Sequence, residues 1–164
     1  MAISYQHFNQ LLSQEECEQI LLDLPKPDYE TAPAIDRTKE QVPLDTWYKM
    51  EKVPIRIETV ISNNIRTKLV KELKQNFTAV MNRMYITKYS ENEYCVPHTD
   101  PAEHTVIIQL NDAYSGGIFT LNNIPIEMNT GDAVVFSNKD NLHGVRKIKS
   151  GVRYALALWV NFDK

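Results

Sequence analysis

From about Met81 onward this chain stops repeating its apolar residues at helical spacing. It runs instead as short β-branched and aromatic segments separated by turn residues. Met84-Tyr85-Ile86-Thr87-Lys88-Tyr89 is the first such segment, and Thr105–Leu110, Gly117–Leu121, Ile124–Glu127, Ala133–Phe136, His143–Ile148 and Val152–Phe162 continue the series. Such side chains suit a pleated surface, and many short runs at regular spacing argue for a sandwich or barrel. All five glycines, Gly116, Gly117, Gly131, Gly144 and Gly151, fall in this half, where tight turns between strands need them. Asn122-Asn123 reads as a two-residue hairpin turn, because Asn tolerates positive φ. Gly131-Asp132 and Ser150-Gly151 read as further turns. The expected fold class is mainly β with flanking helices, in a single domain over residues 1–164: helix and loop support over 1–80, β core over 81–164.

The first half contains no glycine and reads differently. Ser13 with Glu16 three residues on forms a capping box, Cys17, Ile20, Leu21 and Leu24 follow at helical spacing, and Pro25 ends the helix. Ile65, Leu69, Val70, Leu73 and Phe77 predict an amphipathic helix over Asn64–Phe77 with its lysines turned to solvent. Between them, residues 25–55 hold five of the eight prolines, many charges and little periodicity. A connection that long in a small domain is commonly functional, so it is the candidate substrate loop or lid. Its aromatic pair Trp47-Tyr48 either plugs the edge of the core or contacts substrate.

A net charge of −3 supplies no basic footprint for nucleic acid, and no apolar run approaches the roughly 20 residues needed to cross a bilayer. The segment Met1–His7 lacks the basic and apolar regions of a signal peptide. Cys17 and Cys95 are too few for a disulfide framework. These observations favour reduced thiols in a cytoplasmic protein.

Chemistry concentrates in His98-Thr99-Asp100, His143 and Arg153. On a strand, His98 and Asp100 project to the same side, within reach of one metal. Two histidines compete as the third ligand. His104 follows closely behind Pro101, whereas His143 lies within the β region, and facial coordination favours a residue on a neighbouring strand. His143 is therefore preferred, and His7 reads as an ordinary surface or core histidine. Two imidazoles and one carboxylate are the ligand set of a mononuclear non-haem Fe(II) site with open positions. On the last strand Arg153, Ala155, Ala157 and Trp159 share one face, so the arginine stands beside small residues with room for an anion. Tyr85, Tyr89 and Tyr94 precede the metal motif and offer phenols to the same space. Gln109 is a polar amide in an apolar strand, and its expected partner is a co-substrate in a cavity lined by Thr105, Ile107 and Gln109.

The order of these motifs resembles the Fe(II)- and 2-oxoglutarate-dependent dioxygenases, in their prolyl 4-hydroxylase-like branch. The likeness runs through Phe8–Cys17, Tyr85–Asp100, Ile108–Asn111, Ser115–Gly117, Gly131–Phe136, Leu142–Val145 and Ser150–Leu156. It implies a double-stranded β-helix, a jelly-roll of cupin-like shape, with His98, Asp100 and His143 as iron ligands. It also implies Arg153 and Tyr89 as co-substrate contacts, with Gln109 where some members carry a second tyrosine. Asn92 stands where the family often has glycine. The implied cofactors are Fe(2+), 2-oxoglutarate and O2, with ascorbate as a candidate accessory. The implied activity is hydroxylation of an unactivated C–H bond with release of succinate and CO2, first of a prolyl residue in a peptide or protein. The alternatives are a hydroxylase of a free amino acid or other small molecule, and a non-catalytic jelly-roll binding module. Trp159 occupies the place of a second arginine in the nucleic-acid demethylase branch, which argues against that branch. With Trp47 and Tyr48 it is a candidate substrate contact; oligomeric state is left open.

Overall fold

The computed structural model describes residues 5–23, 30–31, 48–49, 51–56, 60–80 and 83–164. Among the described residues, two helices, α1 (Gln14–Leu22) and α2 (Val60–Leu73), accompany short strands. The larger sheet contains β1 (Tyr5–Phe8), β2 (Glu30–Thr31), β4 (Glu51–Arg56), β5 (Phe77–Ala79), β6 (Arg83–Tyr89), β8 (His104–Gln109), β12 (Ala133–Ser137) and β15 (Arg153–Phe162). Its order is β1-β12-β8-β15-β6-β4-β2, with β5 also paired to β15. The second sheet runs β11 (Ile124–Pro125), β10 (Phe119–Leu121), β13 (His143–Val145), β7 (Tyr94–His98), β3 (Tyr48–Lys49). A two-stranded ribbon pairs β9 (Tyr114–Gly116) with β14 (Ile148–Gly151). The pairs that build these sheets are antiparallel. Among the described residues, no helix is long and apolar enough to cross a membrane.

Side-chain alternation divides the core into two layers. On β8, β12 and β15, Val106, Ile108, Ala133, Val135, Leu156, Leu158 and Val160 pack with Cys17 and Ile20 of α1 and Ile65 and Leu69 of α2. The intervening residues Ile107, Val134, Phe136 and Ala155 join Phe119, Leu121 and Val145 of the second sheet. The central strands are thus buried on both faces. That is why they read as continuous apolar runs and not as alternating ones.

Local chemistry agrees with most of the expected boundaries. Ser13 Oγ accepts from the Glu16 amide and Glu16 accepts from the Ser13 amide, so the capping box forms. Asn122 and Asn123 have φ of 50° and 64° in the turn between Leu121 and Ile124, and Asn92 has φ of 68°. The second helix begins earlier and ends sooner than its periodicity predicts. Lys74 turns left-handed at φ 55°, which releases Phe77 into β5, where it is buried. The run His143–Ile148 divides into β13 and the start of β14, and Ser150-Gly151, expected as a turn, lies in β14 against β9. Of residues 25–55, β2, β3 and part of β4 are described; Trp47 lies outside the described residues. Tyr48 is placed by its backbone opposite Cys95.

One turn fastens the N-terminal segment to the core. Gly131 has φ +91°, and a Cβ there would stand 2.1 Å from the Leu12 carbonyl oxygen, so only glycine fits. Asp132, 1 % exposed, accepts from the Gln10 and Asn129 amides and bonds the His7 ring at 2.9 Å. Burial alone would raise its pKa. The two amides and His7 outweigh that and hold it below the usual carboxylate value. A depressed folded-state pKa means this stabilisation is complete above the unfolded value of about 3.9 and fades as pH falls through the folded value. Asp132→Ala is expected to cost roughly 3 kcal/mol at neutral pH in denaturant unfolding. The difference from wild type should shrink as the pH is lowered below about 4.

Candidate active site

The site forms where β7 and β13 meet the inner face of the large sheet. His98 and His143 are direct cross-strand partners, with ring centroids 4.2 Å apart. Gly144 permits this approach, since a Cβ there would lie 2.8 Å from the Cys95 carbonyl oxygen. Asp100 lies two residues beyond the end of β7. Its Oδ1 is 3.4 Å from His98 Nε2 and its Oδ2 is 3.1 Å from His143 Nε2. The ligand atoms of His98, Asp100 and His143 all fall within 4.8 Å of one another. The Val96 carbonyl lies 2.8 Å from His98 Nδ1. With the proton on Nδ1, the Nε2 lone pair is left for a metal.

Burial opposes charge on Asp100, but the His143 and His98 rings outweigh it and hold the carboxyl well below the usual range. Burial lowers the pKa of His143, with His98 adding to that effect. For His98, burial also favours the neutral form, yet Cys95 and Asp100 together raise it. An ionised carboxylate and a neutral imidazole are the forms that bind a divalent cation.

These three side chains line a cavity of about 70 Å³ with Arg153, Tyr89, Tyr85 and Trp159. Arg153 is 1 % exposed, and its Nε and Nη2 have no hydrogen-bond partner among the described residues. Its guanidinium carbon lies 5.5 Å from the Tyr89 ring centroid, the two residues being partners across β15 and β6. Burial pushes the Tyr89 phenol well up, so it stays protonated as a donor. Ala155 and Ala157 stand between Arg153 and Trp159 on the cavity face, as the strand alternation predicts. An unpaired buried guanidinium is costly, so the cavity's chemistry fits an anion at this end and a metal at the other.

The remaining candidates fall elsewhere. His104 is outside the cluster; its ring packs on Phe162 at 4.5 Å. His7 is held by Asp132. Tyr94 faces away from the cavity, beneath the Lys147 ammonium. Gln109 is not a lining residue: its amide donates to the Met128 carbonyl at 3.0 Å, so the buried polar group finds a backbone partner instead of a co-substrate. Thr105 does not line the cavity either, because its hydroxyl turns to Asp100 Oδ2 at 2.7 Å.

Three contacts carry no signal in the sequence pattern. Cys95 lines the cavity, its Sγ 3.3 Å from His98 Nδ1. Between Cys95 and His98 strand β7 takes three steps while β13 takes two from Val145 to His143. The extra residue reverses the alternation and brings both side chains to one side. Asn138 and Thr105 reach Asp100 only through tertiary pairing, for which no local sequence signal exists.

Residues 84–161 match the family model described as the 2OG-Fe(II) oxygenase superfamily, whose members use Fe(II) and 2-oxoglutarate. No curated protein sequence matches the chain. Among solved structures, the viral collagen prolyl hydroxylase of Paramecium Bursaria Chlorella virus-1, in a 2OG complex, is similar. Its TM-score is 0.71 at 16% identity, over 95% of this chain and 94% of that one. A Trichoplax adhaerens prolyl hydroxylase bound to a hypoxia inducible factor peptide fragment gives 0.72 at 17% identity, over 97% and 83%. HygX from Streptomyces hygroscopicus, with nickel, 2-oxoglutarate and hygromycin B bound, gives 0.67 at 12% identity, over 97% and 83%. At these identities the structures establish a shared double-stranded β-helix fold. His143→Ala is expected to abolish tight Fe(II) binding in anaerobic calorimetry while His104→Ala retains it; the reverse result would make His104 the ligand. Residues 84–161 thus carry the sequence pattern of the 2OG-Fe(II) oxygenase superfamily, on a fold the chain shares with these solved structures.

Proposed function

We propose that the protein is an Fe(II)- and 2-oxoglutarate-dependent dioxygenase that hydroxylates an unactivated C–H bond. The observation that carries this reading is Arg153, buried with two unpartnered nitrogens in the cavity that also holds His98, Asp100 and His143. A metal and a fixed cation in one cavity suit a small dicarboxylate that engages both.

When bound, iron and 2-oxoglutarate with O2 supply oxidative decarboxylation to succinate and CO2 and the oxidation of the C–H bond. The chain's own residues bind, orient and exclude. His98, Asp100 and His143 would hold the metal and leave positions open. Arg153 would clamp the distal carboxylate, and the Tyr89 phenol, kept protonated by burial, would donate a hydrogen bond beside it. Ile107, Phe119, Val145 and Ala155 wall the space with apolar atoms and keep water from the reacting centre. Tyr85 and Trp159, with ring centroids 5.6 Å apart, offer an aromatic surface to the primary substrate.

A prolyl residue in a peptide or protein is the first substrate reading, supported by the fold likeness to prolyl hydroxylases. Hydroxylation of a small molecule is the second, because one of the similar structures holds hygromycin B. Anaerobic titration of Fe(II)-loaded protein with 2-oxoglutarate is expected to develop a weak visible charge-transfer band. Arg153→Ala should need roughly 100-fold more 2-oxoglutarate to reach it, the consequence of removing one partner of a buried charge pair. Unchanged titration would overturn the Arg153 assignment. Absence of the band with iron bound would overturn the co-substrate reading. Succinate release with proline-containing peptides against free amino acids then separates the two substrate classes.

A further inference from the structure

We propose that Asn138, acting through the Thr105 hydroxyl, is a positioning residue that holds Asp100 as a one-oxygen metal ligand. The inference rests on the iron-site reading above. It starts from a hydrogen-bond chain with only one consistent set of proton positions. Asn138 follows the end of β12, where Ser137 pairs with His104 and Phe136 with Thr105. Its amide oxygen accepts from the Asp100 backbone N–H at 3.1 Å. Its amide nitrogen donates to the Ala102 carbonyl at 3.1 Å and to Thr105 Oγ at 2.9 Å. Flipping the amide would set two donors against each other at Asp100 and two acceptors against each other at Ala102. One orientation therefore holds.

That orientation dictates the next proton. Thr105 Oγ receives a hydrogen from Asn138, so its single proton points to Asp100 Oδ2, 2.7 Å away. Thr105 is fully buried and Asn138 is 7 % exposed, so water does not compete for these bonds. Asp100 itself stands beyond the end of β7, where no strand ladder holds its backbone. The chain from Asn138 replaces that missing restraint twice, once at the backbone amide and once at the carboxylate. The Thr105 proton takes one lone pair of Oδ2, the oxygen that also faces His143 Nε2 at 3.1 Å, and so weakens it as a second metal donor beside Oδ1. A two-oxygen carboxylate would occupy a position that a bidentate co-substrate needs. Partners of this kind orient metal ligands and typically carry about 10–100-fold in metal affinity.

The test separates this role from simple loop fastening. Thr105→Val is nearly isosteric and removes the proton, while leaving both loop bonds of Asn138 in place. Thr105→Ser restores the hydroxyl. Asn138→Asp keeps the acceptor for the Asp100 amide but supplies no hydrogen to Thr105, and its carboxylate draws the Thr105 proton away from Asp100. Fe(II) affinity is measured by anaerobic chelator competition, and coordination by the visible spectrum of the Co(II)-loaded protein. Both Thr105→Val and Asn138→Asp are expected to lose about 10–100-fold in affinity and to shift the Co(II) bands. Thr105→Ser should return both readouts to near the wild-type values. Wild-type affinity in Thr105→Val, or a Thr105→Ser variant as impaired as Thr105→Val, would overturn the inference while leaving the iron reading intact. A wild-type protein with no Fe(II) affinity would overturn both.

Discussion

The buried guanidinium of Arg153 is the interaction on which the rest of the site depends. At 1 % exposure, with two nitrogens unpartnered among the described residues, this charge suits an anionic partner, since an uncompensated buried charge costs several kcal/mol. The fold accepts this cost because Arg153 begins β15, the strand that pairs with β6, β8 and β5 at the centre of the large sheet. Its own backbone is fixed opposite Tyr89 of β6, and the rest of β15 is held by β8 and β5. The small side chains of Ala155 and Ala157 beside it keep the space empty of protein atoms.

At the other end of the cavity the problem is reversed. Three potential ligands must be kept close to one another. Pairing of β7 with β13 brings the two histidines together through the backbone ladder, and Gly144 removes the Cβ that would force the strands apart. Asp100 has no such ladder and is held by side chains from β8 and from the end of β12. The large sheet thus supplies the buried guanidinium and the restraints on the carboxylate, and the small sheet supplies the imidazoles. The sandwich is what makes one site of them.

Much of this is legible in the amino-acid sequence. Alternation along Arg153–Val160 assigns the cavity face and the helix-covered face correctly, because strand geometry is local and has a period of two. The capping box at Ser13 and the Asn122-Asn123 turn are readable for the same reason. Where sequence pattern and fold part company, a longer-range constraint intervenes. Pattern alone points Gln109 at a co-substrate, but the Met128 carbonyl claims its amide from nineteen positions away in the chain. Cys95 gives no sign of its place in the cavity because a bulge reverses the alternation that local reasoning assumes.

By itself the sequence determined the β-rich class, the two helices, the His-x-Asp motif and the arginine strand, since each follows from residue preferences over a few positions. The tertiary structure sets His143 beside His98 and Asp100, as the sequence context favours over His104. Only strand pairing places His104 against Phe162 and His143 against His98. Only the tertiary structure, too, disclosed the chain from Asn138 through Thr105 to Asp100. Its members are separated by up to thirty-eight residues and meet because β12 and β8 lie side by side. Hydrogen bonds between distant side chains depend on register and burial, which exist only once the sheets have formed.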